Sequence, residues 1–297
     1  MQYFRHVTVA LCLAPVDADV LRQARLVRDM GNDETEFSFI HVLPPVDGWS
    51  AADRMPRPLE EVRAAMGAAI AEHFGTAAPE SIHVLTGSHL DKLLETVAET
   101  RSDLVMLGHR RSARGRRSSS RRLAMKAPCS VWLVPEGSPA RISHVVAAVD
   151  FSLPSARAAS LATLIASRAH AACSVLNVVE ANVLGLDAAG ESEVWQNLGR
   201  FLTPLDLHGM EVRPQIVEAG SVAGAVARQV AAEGVDLAVL GTRGLSPSAA
   251  TLLGSESEGV LLESTVPVLV TKDRGERLGI LRELLDRDFR STEPRFG

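Results

Sequence analysis

The sequence predicts an α/β protein made of two tandem domains, each a doubly wound, five-stranded parallel sheet. Three observations point there. The chain has 297 residues, about twice an ordinary small domain. It repeats itself once, in order. Each half alternates strand-like and helix-like segments.

The repeat is visible in five places. His6-Val-Thr-Val-Ala-Leu-Cys12 parallels His144-Val-Val-Ala-Ala-Val-Asp150, and Phe39-Ile-His-Val42 parallels Val175-Leu-Asn-Val178. Gly87-Ser88 matches Gly220-Ser221, Asp103–Gly108 matches Asp236–Gly241, and Ser130–Val134 matches Pro267–Thr271. The offset stays between 133 and 138 residues, a register that unrelated apolar strands would not keep.

In the second half, strands are expected at 143–150, 172–179, 211–218, 236–241 and 267–271. They are near-continuous β-branched or apolar runs, the pattern of a sheet covered on both faces. Helices are expected at 153–170, about 190–207, 221–234 and about 254–264. Ala158, Leu161, Leu164 and Ile165 form one apolar stripe; Val222, Ala225, Val226 and Val230 form another. The first half matches, with Leu90, Leu93, Leu94, Val97 and Ala98 at helical spacing. Right-handed crossovers then give parallel sheets.

The domains are expected at 1–138 and 139–273, joined near the polar, Gly/Pro-containing stretch Glu136-Gly-Ser-Pro139. A tail, 274–297, carries Leu278, Leu281, Leu284 and Leu285 at the spacing of a short amphipathic helix.

Composition excludes several classes. Apolar residues make up 46%, enough for two cores, and the net charge of −5 gives no excess for a polyanion partner. The three cysteines form no CxxC pair and read as reduced, mostly buried thiols. The nine histidines are scattered, without metal-ligand grouping. No apolar run approaches the roughly 20 residues of a membrane span, and the N-terminal residues lack a secretory pattern. A soluble, cytoplasmic protein is expected, with no membrane partner.

Ligands of open α/β sheets sit beyond the carboxyl ends of the strands. There the second half places Asp150-Phe-Ser152 after its first strand and Gly241-Thr-Arg-Gly244 after its fourth. Gly254-Ser255 opens the next helix. Glycines at 241, 244 and 254 let backbone approach a ligand. Ser255 can cap the helix, whose N-terminal N–H groups and dipole favour anions. Asp150 can accept hydrogen bonds from a ribose or base.

The spacing Gly-x2-Gly-x9-Gly-Ser resembles the ATP-binding signature of the universal stress protein family. The Asp-Phe-Ser turn, the Gly-Thr-Arg-Gly loop and the closing Val-Pro-Val-Leu-Val strand resemble it too, and the likeness covers about residues 1–272. It implies an adenine-nucleotide-hydrolase-like, Rossmann-like fold and ATP as ligand. Asp150 would contact the adenosine part and the backbone of Val178 the adenine edge. Gly241, Gly244, Gly254 and Ser255 would hold ribose and phosphates. Glu256 departs from an ideal phosphate site; it could face solvent or help hold Mg2+. Pairing through last strands, common in the family, would join 130–134 to 267–271, and the tandem chain could dimerise further.

The first half lacks the signature. Cys12 stands for Asp150, Arg111 for Gly244 and Arg117 for Gly254, with Ser118 for Ser255. No ATP binding is expected there. Its loop, His109 to Arg122, holds seven arginines within thirteen residues. A solvated loop, a contact to an anion or acidic partner, and nucleic-acid binding all remain open. No aromatic interleaves with the run, which disfavours the last. His109 is expected to be exposed, and Asp103 and Asp236 to act in turns.

No Gly-x4-Gly-Lys-Ser/Thr loop, HExxH or Gly-x-Ser-x-Gly elbow is present. The expected function is an ATP-binding regulatory stress-response protein whose protein partner the sequence does not identify. One alternative is a slow ATP hydrolase with Asp150 and Glu256 as candidate groups. The other is a nucleotide-independent interaction module using the arginine loop.

Overall fold

Ten strands and eight helices alternate along the residues that the computed structural model describes: 4–31, 34–44, 58–76, 81–109, 119–179, 188–241 and 255–272. The chain divides after Arg141 into two compact units.

The first unit runs β1 (His6–Leu11), α1 (Val16–Met30), β2 (Glu36–Leu43), α2 (Leu59–His73), β3 (Ile82–Thr86), α3 (His89–Glu99), β4 (Leu104–His109), α4 (Ser119–Lys126) and β5 (Ser130–Pro135). Its strands are all parallel, in the order β3-β2-β1-β4-β5. The second runs β6 (His144–Val149), α5 (Leu153–Ala169), β7 (Ala172–Val179), α6 (Ala188–Leu202), β8 (Arg213–Glu218), α7 (Val222–Glu233), β9 (Leu237–Gly241), α8 (Ser255–Glu263) and β10 (Val268–Thr271). Its parallel order is β8-β7-β6-β9-β10, the same path repeated.

Central strands are sealed on both faces. Val7, Val9, Leu104, Val105 and Met106 are at most 1% exposed in the first unit, as are Val145, Val146, Val239 and Val175 in the second. β8 is more open, as an edge strand with Pro214 and Arg213 should be. The apolar stripe on α3 buries Leu90, Leu93 and Val97, while Ala98 faces solvent.

Helix ends follow local chemistry. Ser152 and Ser221 cap α5 and α7, accepting from the N–H groups of Ser155 and Gly224. Gly234 ends α7 in the left-handed conformation. α6 stops at Leu202, five residues before its expected end, because Pro204 disfavours a helical Thr203. Asp103 accepts from the N–H groups of Arg5 and His6, and Asp236 from that of Ser143, so both carboxylates tie turns.

The joint is pinned to the first unit. Asp19 accepts from the Gly137 N–H at 2.8 Å, and the Gln23 amide donates to the Pro139 carbonyl at 2.6 Å. Asp19, Gln23 and Ser138 are all buried. The polar stretch Glu136–Pro139 is therefore fixed structure over its first residues.

Candidate functional site

Each sheet reverses its strand order once. In the second unit the path from β6 goes to β7 on one side, then returns to β9 on the other. The carboxyl ends of β6 and β9 therefore meet at the point where the strand order reverses, the usual place for a ligand in such a sheet. Their register, Ala148 opposite Leu240, brings the turn after Val149 beside Gly241.

Asp150 occupies that turn and is exposed. Its Oδ1 accepts twice from Ser152, from the backbone N–H at 3.1 Å and from the hydroxyl. Ser152 Oγ also accepts from the Ser155 N–H, capping α5. Ser155 Oγ donates to the Ser152 carbonyl and accepts from the Asp150 N–H at 3.3 Å. Partial burial pushes the Asp150 carboxyl up, but the hydrogen bonds from Ser152, with Ser155, outweigh it and hold it below the usual carboxylate range. Phe151 takes a left-handed conformation, φ 63°, and its ring meets Phe201 edge-on at 5.5 Å.

The neighbouring elements hold this turn in place. The buried Asn177 side chain donates to the Val149 carbonyl at 2.9 Å, fixing the end of β6 against β7. Val178, next along β7, is half-buried and paired with Val217. Gly241 has a packing reason of its own: a Cβ there would lie 2.5 Å from the Pro154 carbonyl carbon and 2.7 Å from the Ser155 nitrogen. Ser257 Oγ donates to the Gly241 carbonyl at 3.1 Å, which sets the first turn of α8 against the end of β9. Ser255 begins α8; its side chain, Gly244 and Gly254 lie outside the described residues, as do Arg110–Ser118 and the tail from 273.

The first unit uses the same backbone with other side chains. Leu13 is left-handed at φ 54°, like Phe151, and His41 Nδ1 meets the Leu11 carbonyl at 2.9 Å where Asn177 meets Val149. The Asp150, Ser152 and Ser155 positions hold Cys12, Ala14 and Asp17. Asp17 is buried and accepts from the N–H groups of Cys12, Leu13 and Ala14 and from the Cys12 thiol. His109 departs from expectation. It is 5% exposed, closes β4 opposite Pro135, and its Nδ1 lies 3.0 Å from Ser120 Oγ. Continued pairing with β5 draws it inward despite the arginines that follow.

Among the described residues, no group of three or more His, Cys, Asp or Glu side chains could hold a metal, and no helix is long and apolar enough to cross a membrane. The roles of Ser152, Ser155 and Asn177 are not among those expected from the sequence. The first two had a signal, the Ser-x-x-Ser cap with Pro154 in the first helical turn.

A model of the universal stress protein family matches residues 4–135 and 141–272. Two solved structures match most of the chain. A universal stress protein from Archaeoglobus fulgidus DSM 4304 is 18% identical, covering 91% of this chain and 97% of its own, with a TM-score of 0.65. A candidate universal stress protein from Pseudomonas aeruginosa UCBPP-PA14 is 16% identical, covering 97% and 98%, with a TM-score of 0.66. At these identities the likeness is one of fold. No curated protein matches the chain.

Proposed function

Because this chain belongs to the universal stress protein family, matched once in each half, we propose that it is a nucleotide-binding stress-response regulator whose second unit holds ATP. The observation that carries this reading is the exposed Asp150 carboxylate at the strand-order reversal of that unit. The ionised Asp150 stands after β6. The start of α8 is fastened to the end of β9 through Ser257 and Gly241.

The two strand ends offer complementary chemistry. Asp150 accepts hydrogen bonds from the nucleoside. The N-terminal N–H groups of α8 favour phosphate oxygens. Gly244 and Gly254 give the intervening loop room at the spacing the signature requires. The first unit, with Cys12, Arg111 and Arg117 at the matching positions, serves as the partner half without a nucleotide.

A regulatory role is favoured over hydrolysis by the state of Asp150. The hydrogen bonds that keep it ionised also make it a poor proton acceptor, so it is weakly suited to activating water.

The test is nucleotide content and affinity. Purified protein is extracted for bound nucleotide, then ATP is titrated into wild type and Gly254→Arg, which copies Arg117 into the second half. Binding by wild type with at least a tenfold loss in the variant is expected. Failure of both to bind, in folded protein with magnesium present, overturns the proposal.

A further inference from the structure

The second unit fixes not only where its exposed carboxylate lies but how it is turned. Ser152 contacts Asp150 Oδ1 through two donors, its backbone N–H and its hydroxyl. Both Ser152 donors fall on Oδ1 and neither on Oδ2. The same Ser152 hydroxyl caps α5, so it is anchored to the helix while it holds the carboxylate. Turning the carboxylate away would break both Ser152 bonds to Oδ1, and the cap holds the donating hydroxyl in place.

The first unit supplies an independent control. There Cys12 replaces the acid and Ala14 replaces the serine, while the turn keeps its left-handed residue. The backbone thus does not need a serine at this position, because Asp17 satisfies the N–H groups of the turn instead. The serine accompanies the exposed carboxylate.

Resting on the nucleotide reading above, we propose that Ser152 is a positioning residue for Asp150. It presents Oδ2 alone, as a fixed acceptor, so that the second unit reads one hydrogen-bond donor of the nucleoside. An ionised oxygen accepts and cannot donate. The group it reads is therefore a sugar hydroxyl or a base amino group, never a carbonyl or a phosphate.

The experiment measures binding of ATP, 2′-deoxy-ATP, 3′-deoxy-ATP and ITP to the full chain and to its Ser152→Ala and Ser152→Thr variants. Wild type is expected to favour ATP at least about tenfold over the analogue lacking the donor that is read, the usual size of a bond to a charged acceptor. The deoxy analogues report a hydroxyl, and ITP reports the amino group. Ser152→Ala should flatten that preference to less than about threefold, and Ser152→Thr should restore it. In Ser152→Ala the loss of ATP affinity on acidification should begin at a higher pH, because the carboxylate has lost a bond to its charged form. A purely structural cap would weaken all four ligands equally and leave the pH profile unmoved.

ATP binding with no preference among the analogues would overturn the reading of a single donor while leaving the nucleotide site standing. A preference that survives Ser152→Ala would overturn the role of Ser152. Absence of all binding by folded wild type would remove both proposals together.

Discussion

The turn after β1 and the turn after β6 follow one backbone course and carry opposite electrostatic arrangements. In the first, the carboxylate is Asp17, buried in the opening turn of α1 and spent on three backbone N–H groups. In the second, the carboxylate is Asp150, exposed at the strand end, while the short hydroxyl of Ser155 fills the inner position. The fold asks only that the N–H groups of the turn be satisfied. Either an acid or a serine can do that. A binding site asks in addition for a charge left facing outward, and only the second turn has one.

The largest expected effect tests how far the two turns are equivalent in packing. Gly241 and Gly108 occupy matching strand ends, but their neighbours differ. A Cβ on Gly241 meets the backbone of Pro154 and Ser155, whereas one on Gly108 meets Val16 methyl groups at 2.7 and 2.8 Å. A buried valine is stiff and can shift only a little, but a helix backbone can shift still less. Gly241→Ala should cost about 3 kcal/mol and Gly108→Ala about 1 kcal/mol, read from urea unfolding of the full chain. Equal losses would mean that the α5 backbone yields as readily as a valine.

A smaller effect concerns acid. The folded Asp150 carboxyl lies below its ordinary value of about 3.9. Its ionised form therefore stabilises the folded chain above that ordinary value, and the contribution is lost as pH falls through the lower folded one. Asp150→Asn should remove that part of the acid dependence in a series of unfolding curves. Cys12→Ser, at the matching position, should leave it intact. Identical acid profiles for wild type and Asp150→Asn would show that the Ser152 bonds do not persist in solution.

The smallest effect is a null one. Cys12 is exposed, while Cys129 and Cys173 are buried, and burial pushes the Cys173 thiol up to about 12. A thiol reagent should modify one cysteine in the native chain and three in denaturant. If the first turn carries no nucleotide, capping Cys12 should change ATP affinity by less than about twofold. A larger change would give the first unit a part in binding.

Much of this is legible in the sequence. The repeat register predicted two copies of one parallel fold, and the helix expected near 254–264 is found at Ser255–Glu263. Local signals of that kind survive because both apolar period and cap lie within one segment. What was not legible depends on partners far along the chain. His109 reads as loop from its arginine neighbours, yet its burial comes from β5. Gly241 reads as a ligand-facing glycine, yet Pro154 and Ser155, 87 and 86 residues upstream, already exclude a side chain there. Asp17 looks like an ordinary acid in a first helical turn, and only the left-handed Leu13 turns three N–H groups toward it.

Phe151, left-handed like Leu13, has a consequence for how readily the proposed nucleotide could be received. A bulky side chain at φ 63° costs on the order of 1–2 kcal/mol, which glycine would avoid. Phe151 meets the strain with its ring lodged against the buried Phe201. Glycine there would relax the turn and also set it loose, and each binding event would then have to order it afresh. With phenylalanine the loss of freedom is met once, when the chain folds, and the turn that carries Asp150 is already in shape.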